Sequence, residues 1–497
     1  MVRQVVRLAR GVGVNIEQVS SHYPMSQVRP GIVHIGLGAF HRAHQAVYVE
    51  KCLRRSGGGH WGIVAANVRS NAQLVERLNQ AGNRYHVIEF KSSEDVVICP
   101  VRSIVNTIFA GNTKAELLNL LAEPDIKIVT LTVTEKGYGL HPAKAELNRD
   151  DPAVVHDLED LEGPLSIPGL LVAALARRRL AKENPFTVLS CDNMPHNGRR
   201  VKAAVLEMAA AHSNELRQWI EAEVAFPCSM VDRIVPAVTE DDLALAARKL
   251  DIHDVNAVFT ESFSQWVIED NFCRGRPEWE LDGVEMVDDV APFEVMKLRL
   301  LNGSHSLLAY LGSLCGLETV DQAIRQPALR RMVQLFHAET RPSISVDTDL
   351  ELYCASLLLR FENDNLHHRL AQIATDGSQK IPQRWLEHLQ QPSSASGELP
   401  RTEQALAAWI LFMSGVDGSG DPLTVNDPLQ EIFMDIAVRC SEDYDQWVKQ
   451  CFSVESVFSV TLRENVALQD RVARYLEQLH RCQSREAVVA QLGHWVS

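Results

Sequence analysis

The chain alternates short apolar runs with stretches of helical period. Four runs, Ile32 to Ile35, Ile63 to Val68, Ile128 to Val133 and Phe186 to Leu189, are bounded by polar or glycine-containing segments. Their brevity and near-continuous apolarity suit strands buried on both faces. Between them, Leu117 to Leu121 and Leu170 to Leu180 space their apolar residues as helices do. This alternation predicts an α/β fold with a doubly wound parallel sheet over roughly the first 280 residues. Beyond Asp289 the texture changes: Phe293 to Leu317, Leu329 to Glu339, Leu350 to Arg360 and Gln404 to Ser414 read as helices with no strand runs between them. We therefore expect a sheet domain over residues 1–288 and a mostly α-helical C-terminal domain over 289–497, joined between the Gly275-Arg276-Pro277 turn and Val290. A further loop is expected at Gln391 to Pro400, rich in Ser and Pro.

Composition narrows the class. With 497 residues, 46% hydrophobic and 23% charged, the chain is ordinary globular protein. Its 49 basic and 64 acidic side chains give a formal net charge of −15, which argues against nucleic acid as a partner. The longest nearly uncharged apolar stretch, Ser306 to Leu317, falls well short of the ~18 to 20 residues of a membrane-spanning helix, so no membrane partner is expected either. Ten widely spaced cysteines without a Cys-x-x-Cys pair read as the reduced thiols of a cytoplasmic enzyme. Arg3, Arg7 and Arg10 faintly resemble a transit peptide but lack its serine content.

Candidate chemistry concentrates in a few places. The first predicted strand runs into Gly36-Leu37-Gly38-Ala39-Phe40, where two glycines allow a tight turn and a close approach of backbone to a pyrophosphate. The third glycine of the usual dinucleotide fingerprint is absent, so the motif reads as a cofactor crook or as a plain turn. Gly11-Val12-Gly13 has no convincing strand before it and reads as a loop. The acid that usually ends the second strand and holds the adenosine ribose is missing, and Asn67, Arg69, Ser70 and Asn71 stand there instead. Arg69 suits a 2′-phosphate or is simply a solvated cation. His41 and His44 would hold a metal only with further ligands; none is evident, and no metal is expected.

The most telling stretch runs from Lys297 to His305. At about 100° per residue, Lys297, His305 and Asn302 fall near 0°, 80° and 140°, so three polar side chains share one arc of a Leu-rich helix. Facing solvent, that arc is an ordinary polar stripe. Buried, it is costly without a function, and desolvation would lower the lysine pKa toward neutrality, as a general acid/base requires. The segment Ser190 to Gly198 follows a predicted strand at the end where parallel sheets bind ligands, and an Asn amide there can donate to a developing alkoxide or line a polar turn. Asp232 to Pro236 and Gln265 to Phe272 read equally as ligand-lining or as a turn and an amphipathic strand.

Taken in order, several segments closely resemble the polyol-specific long-chain dehydrogenase/reductase (mannitol dehydrogenase) family. They are Gly36-Leu-Gly-Ala-Phe-His-Arg-Ala-His44-Gln45, Thr132-Val-Thr-Glu-Lys-Gly-Tyr138, Ser190-Cys-Asp-Asn193, Met230-Val-Asp-Arg-Ile-Val-Pro236, Gln265 to Phe272, Met296 through His305, and Asp376-Gly-Ser-Gln-Lys-Ile-Pro382. The resemblance implies a Rossmann-type dinucleotide-binding domain followed by a mostly helical catalytic domain, with chemistry that needs no metal. It places NAD, with NADP open, against Gly36, Gly38, Ala39, Phe40, Arg69 and Glu135. It makes Lys297 the general acid/base, Asn193 and Asn302 the oxyanion-stabilising amides, His305 a substrate-orienting group and Glu294 a carboxylate that helps relay the proton.

Within the family, mannitol dehydrogenases resemble Thr-Glu-Gly-Gly-Tyr where this chain has Thr134-Glu135-Lys136-Gly137-Tyr138, the lysine form resembling the uronate reductases. Arg369 is a further cation, and an arginine can bind a carboxylate bidentately. With Asp232 and Lys380 as additional substrate contacts, the expected reaction is interconversion of D-fructuronate and D-mannonate. A mannitol 2-dehydrogenase or other polyol dehydrogenase is the second reading, in which Lys136 and Arg369 merely pair with nearby acids. A non-catalytic nucleotide-binding sensor of sugar acids is the third, opposed by the intact Lys297, Asn193, Asn302 and His305. Asn71 and Ala72 lie about where a mannitol dehydrogenase carries its NAD-selecting aspartate, which keeps NADP open.

Overall fold

The computed structural model describes residues 15–91, 95–111, 113–141, 146–364, 368–390, 398–417 and 419–497. Gly11, Gly13, the N-terminal arginines, most of the Gln391 loop and the side chains of Glu135 and Lys136 lie outside the described residues. The chain divides into two compact units, Met1–Ala291 and Pro292–Ser497.

At the centre of the first unit are five parallel strands: β1 (Val28–Ile35), β2 (Gly59–Asn67), β3 (Ile104–Phe109), β4 (Ile128–Leu131) and β5 (Thr187–Ser190). They are ordered β3-β2-β1-β4-β5. Hydrophobic patterning marks β1, β2, β4 and β5; it misses β3, whose apolar run is broken by Asn106 and Thr107. Val33, Ile35, Val129 and Leu131 pack with helices Ala115–Ala122, Ile167–Ala181 and Asn197–His212, while Ile32, Ile63, Ile128 and Leu189 pack on the other face with helix Gln45–Ser56. This two-sided burial is why the strands read as continuous apolar runs, and each fully buried aliphatic side chain contributes about 1.5–3 kcal/mol.

Arg178, near the end of Ile167–Ala181, ties the helical layer together. Its buried guanidinium donates to the carbonyls of Leu121, Glu123, Ile126 and Asn184 at 2.5–2.8 Å and lies over the Phe186 ring. Burial pushes it down to about 10. Two smaller sheets complete the unit. One orders Asn15–Gln18, Asp95–Val101, Tyr85–Phe90 and Val258–Glu261; the other orders Glu285–Val287, Gln265–Glu269 and Ser229–Asp232.

The regular elements of the second unit are all helices among its described residues. Helix Gly303–Leu314 is buried along its whole length and packs against Pro327–Thr340, Leu370–Ala374 and Pro400–Phe412, which explains why it is nearly uncharged, its few polar side chains lying buried with the rest. Among the described residues no helix is long and apolar enough to cross a membrane.

Burial also holds several imidazoles neutral. His34 on β1 is pushed down to about 3, and His337 and His388 in the second unit to about 4. In the unfolded chain these rings take up protons below about pH 6.5, whereas the folded ones resist until much lower pH. Their contribution is therefore present above pH ~6.5 and lost as pH falls toward ~4, costing about 2 kcal/mol per ring by pH 5. Calorimetric melting between pH 7 and pH 4.5 is expected to show a falling Tm, and a flat profile would contradict this account.

Candidate active site

The strand order reverses between β1 and β4, the crevice at which open parallel sheets bind ligands. Gly36 leaves β1 with φ +108°, and a Cβ there would lie 2.0 Å from the Thr132 carbonyl oxygen. Only glycine lets the two strand ends approach so closely. At Gly38 the backbone is open, the nearest atom to a built Cβ being the Gly36 oxygen at 3.7 Å. Gly38, Ala39 and Phe40 are partly exposed, so this crook has the uncovered backbone that a pyrophosphate needs. The Asn67 amide at the end of β2 donates to the Leu37 carbonyl at 3.1 Å and fixes the turn from behind. Arg69 and Asn71 follow in the exposed loop, with Asn71 in the left-handed region at the head of helix Ala72–Gln80.

His41 stacks on His34 at 3.4 Å, and His44 Nε2 bonds the Gln265 carbonyl at 2.9 Å. Both imidazoles are core contacts of the crook helix.

The turn after β5 is built around Asp192. Its carboxylate accepts from the backbone N–H groups of Val133 and Thr134 at 2.9 and 3.1 Å and from the Tyr138 hydroxyl at 2.6 Å. The arrangement holds a strained residue: Thr134 has φ 65° and ψ 164°, a region that β-branched side chains avoid. Asn197 locks the same turn by donating to the carbonyls of Asp192 and Ser229 at 3.0 and 2.7 Å. Asn193 is exposed within this turn, and Asp232 is buried at the end of its strand opposite Gln265.

In the second unit the lysine segment departs from the α-helix expected for it. Ala291–Met296 is α-helical, Lys297–Asn302 is a π-helix, and Gly303–Leu314 is α-helical again. The Gly303 N–H reaches back five residues to the Leu298 carbonyl. The even spacing of about 100° per residue therefore fails here, and Asn302 stands one wide turn beyond Lys297. His337 braces that turn, hydrogen-bonding the Leu300 carbonyl and, through Nε2, the Ser304 hydroxyl at 2.8 Å. Lys297, Asn302 and His305 are all buried, as is Glu294 just before them. The His305 ring packs on Phe361 at 4.8 Å and edge-on against His368 at 5.2 Å. Next to it, the Ser306 hydroxyl accepts from Arg384 at 2.7 Å.

The second unit thus brings Glu294, Lys297, Asn302 and His305 onto one helix. Arg369 is exposed at the head of Leu370–Ala374, and the Lys380 ammonium donates to the Thr375 carbonyl at 2.5 Å. The side chains of Glu135 and Lys136 lie outside the described residues. Sequence reasoning overlooks Asp192 and Tyr138 as positioning groups, although both fall inside the quoted motifs, and it overlooks His368 and Arg384, which no pattern marks.

A β3-β2-β1-β4-β5 sheet with a glycine crook at its switch point, followed by a helical unit with a buried lysine, defines a Rossmann-type oxidoreductase. The chain belongs to the mannitol dehydrogenase family: the mannitol dehydrogenase Rossmann domain matches residues 30–281 and the mannitol dehydrogenase C-terminal domain residues 289–480. It is 40% identical to the D-mannonate oxidoreductase of Escherichia coli (strain K12), over 96% of this chain and 99% of that protein. It is also 40% identical to the uncharacterised oxidoreductase YeiQ of the same organism, over 95% and 96%. Among solved structures, Pseudomonas fluorescens mannitol 2-dehydrogenase, in a ternary complex with NAD and D-mannitol, superposes with a TM-score of 0.83 at 33% identity, covering 97% of this chain and 96% of that one.

Replacing the Asp192 carboxylate by an amide turns one of its two accepting oxygens into a donor, so either the Thr134 N–H or the Val133 N–H and Tyr138 hydroxyl lose their acceptor. Asp192→Asn is expected to lower stability by about 1–3 kcal/mol in urea unfolding and to reduce kcat, whereas wild-type values of both would show that the loop holds itself.

Proposed function

We propose that this chain interconverts D-fructuronate and D-mannonate with a nicotinamide cofactor. The observation that carries the reading is the buried Lys297 on its π-turn, followed on the same helix by Asn302 and His305. A lysine held away from bulk water on a rigid turn is suited to give a proton to a nascent alkoxide and to recover it in the reverse direction. Asn193 and Asn302 supply amide N–H groups for the oxygen on which charge develops, His305 orients the substrate, and Glu294 relays the lysine proton toward solvent. When bound, the nicotinamide supplies the hydride. Gly36, Gly38, Ala39 and Phe40 would hold its pyrophosphate, the open backbone at Gly38 leaving room for it, while Arg69 would meet the adenosine end and Glu135 is proposed as a further cofactor contact. NAD is the proposed cofactor, with NADPH accepted as well.

The sugar-acid substrate is favoured by the surplus of cations, Lys136, Arg369 and Lys380, with Asp232 as a hydroxyl acceptor, and by the 40% identity to a D-mannonate oxidoreductase. Oxidation of a neutral polyol is the second reading, favoured by the Pseudomonas fluorescens relative, whose complex contains D-mannitol.

The deciding assay follows NADH and NADPH oxidation by absorbance with fructuronate, tagaturonate and fructose in parallel. Fructuronate is expected to give the highest kcat/KM; a higher value for fructose moves the chain to the polyol reading. Lys297→Ala is expected to lower kcat by about 10²–10⁴-fold with little change in cofactor affinity, because general acid/base groups contribute on that scale. Equal losses in both would make Lys297 a structural residue.

A further inference from the structure

The surroundings of His305 hold more positive charge than a proton relay needs. Beside the neutral His368 ring, the charged groups that act most strongly on His305 are Arg360, Arg384 and Lys297, all of them basic. All belong to the second unit. Among the described residues, His305 Nε2 and His368 Nδ1 are both buried without a hydrogen-bond partner, on rings 5.2 Å apart. Burial keeps both imidazoles neutral near pH 7, so each retains an N–H to offer.

Arg384 is the unusual member. A guanidinium has five N–H donors, and among the described residues only the Ser306 hydroxyl accepts from this one. No carboxylate among the described residues pairs with it, and burial pushes it down to about 10. Arg384 is half-buried, so its remaining N–H groups stay open to a ligand, and an arginine drawn this far into a fold is normally paired with an acid. Ser306 holds this one beside His305, on the helix that begins one turn after Lys297.

We propose that Arg384, together with the His305–His368 pair, is the seat of the substrate carboxylate, and that it selects an acidic keto sugar over a neutral one. The inference rests on the reading of Lys297 as the acid/base, and it moves the carboxylate contact from Arg369, which is exposed, to a residue held beside His305. Fructuronate has three hydroxymethine carbons between its carbonyl and its carboxylate, so the molecule presents a carbonyl end and an anionic end to groups carried by one helix and its neighbours. A neutral ketose hydrogen-bonds the same imidazoles but leaves the guanidinium unpaired.

The test compares wild type with Arg384→Gln and Arg384→Lys in two ways: kcat/KM for fructuronate against fructose, and calorimetric binding of D-mannonate and D-mannitol to the NAD-loaded protein. Loss of a bidentate charged contact is expected to lower the fructuronate-to-fructose ratio by about 30- to 100-fold in Arg384→Gln, with partial recovery in Arg384→Lys. Mannonate binding is expected to weaken by a similar factor. A ratio unchanged within about threefold, or equal losses on both ketoses, overturns the seat and leaves Arg384 as a brace for Ser306, even if fructuronate is the best substrate. Should the wild type turn over neither ketose yet bind mannonate through Arg384, the seat stands and the oxidoreduction reading falls. If Arg384→Gln does not fold, as judged by circular dichroism, Arg384→Lys alone decides by the same ratio.

Discussion

Two parallel strand ends lie so close that no methyl group fits between them. At Gly36 a built Cβ would overlap the Thr132 carbonyl oxygen, and the paired hydrogen bonds Gly36 N–H to Ala66 O and Thr132 N–H to Ile35 O, both 2.9 Å, hold three neighbouring strands in register there. The ligand crevice of the first unit exists because the strand order reverses at this contact, and the opened backbone at Gly38 follows directly from the tight exit that Gly36 permits. His34, wedged between the hydroxyls of Thr130 and Thr132 at 2.8 and 3.0 Å, carries the same register inward. A larger residue at position 36 would have to move β4, and with it the Thr132 to Tyr138 loop and everything Asp192 holds.

Both units keep a departure from regular backbone and brace it with a buried polar side chain. In the first, Thr134 sits at φ 65° while Asp192 takes its N–H. In the second, the π-turn from Lys297 to Asn302 loosens the helical hydrogen-bond ladder, and His337 meets the Leu300 carbonyl. The backbone at Thr134 costs on the order of 1–3 kcal/mol and persists only because its neighbours over-determine it. Such positions are where preorganised chemistry is built, since a group fixed in advance need not reorganise when charge develops.

Much of this was legible in the sequence, and for a physical reason. Strands buried on both faces are continuous apolar runs, so β1, β2, β4 and β5 are visible without a structure, as are the long second-unit helices. The short strands Tyr85–Phe90 and Ser229–Asp232 are not, because register with their partners, more than their own composition, makes them strands. Lys297, Asn302 and His305 announce themselves as polar residues in a Leu-rich helix. Their mutual placement does not, because a single π-turn resets the angle between them and no residue type marks one. Arg384 and His368 lie about 80 and 60 positions from His305 in sequence, and only the tertiary fold brings their charges together.

The electrostatics of that cluster bear on which substrates the fold can favour. The chain as a whole is acidic, with a formal net charge of −15, yet the charged groups that act most strongly on His305 are basic. An anion brought to ~4 Å from one cation gains about 4 kcal/mol at an effective dielectric constant near 20, and desolvating a carboxylate costs several kcal/mol. One cation therefore roughly balances the cost of burying a carboxylate. In the proposed seat the N–H groups of two neutral imidazoles add to Arg384 and tip the balance toward binding, whereas a neutral hydroxyl gains none of the charge–charge part. Burial is what holds both histidines neutral, and at His305 the neighbouring cations add to it, since a protonated imidazole there would meet Arg360, Arg384 and Lys297.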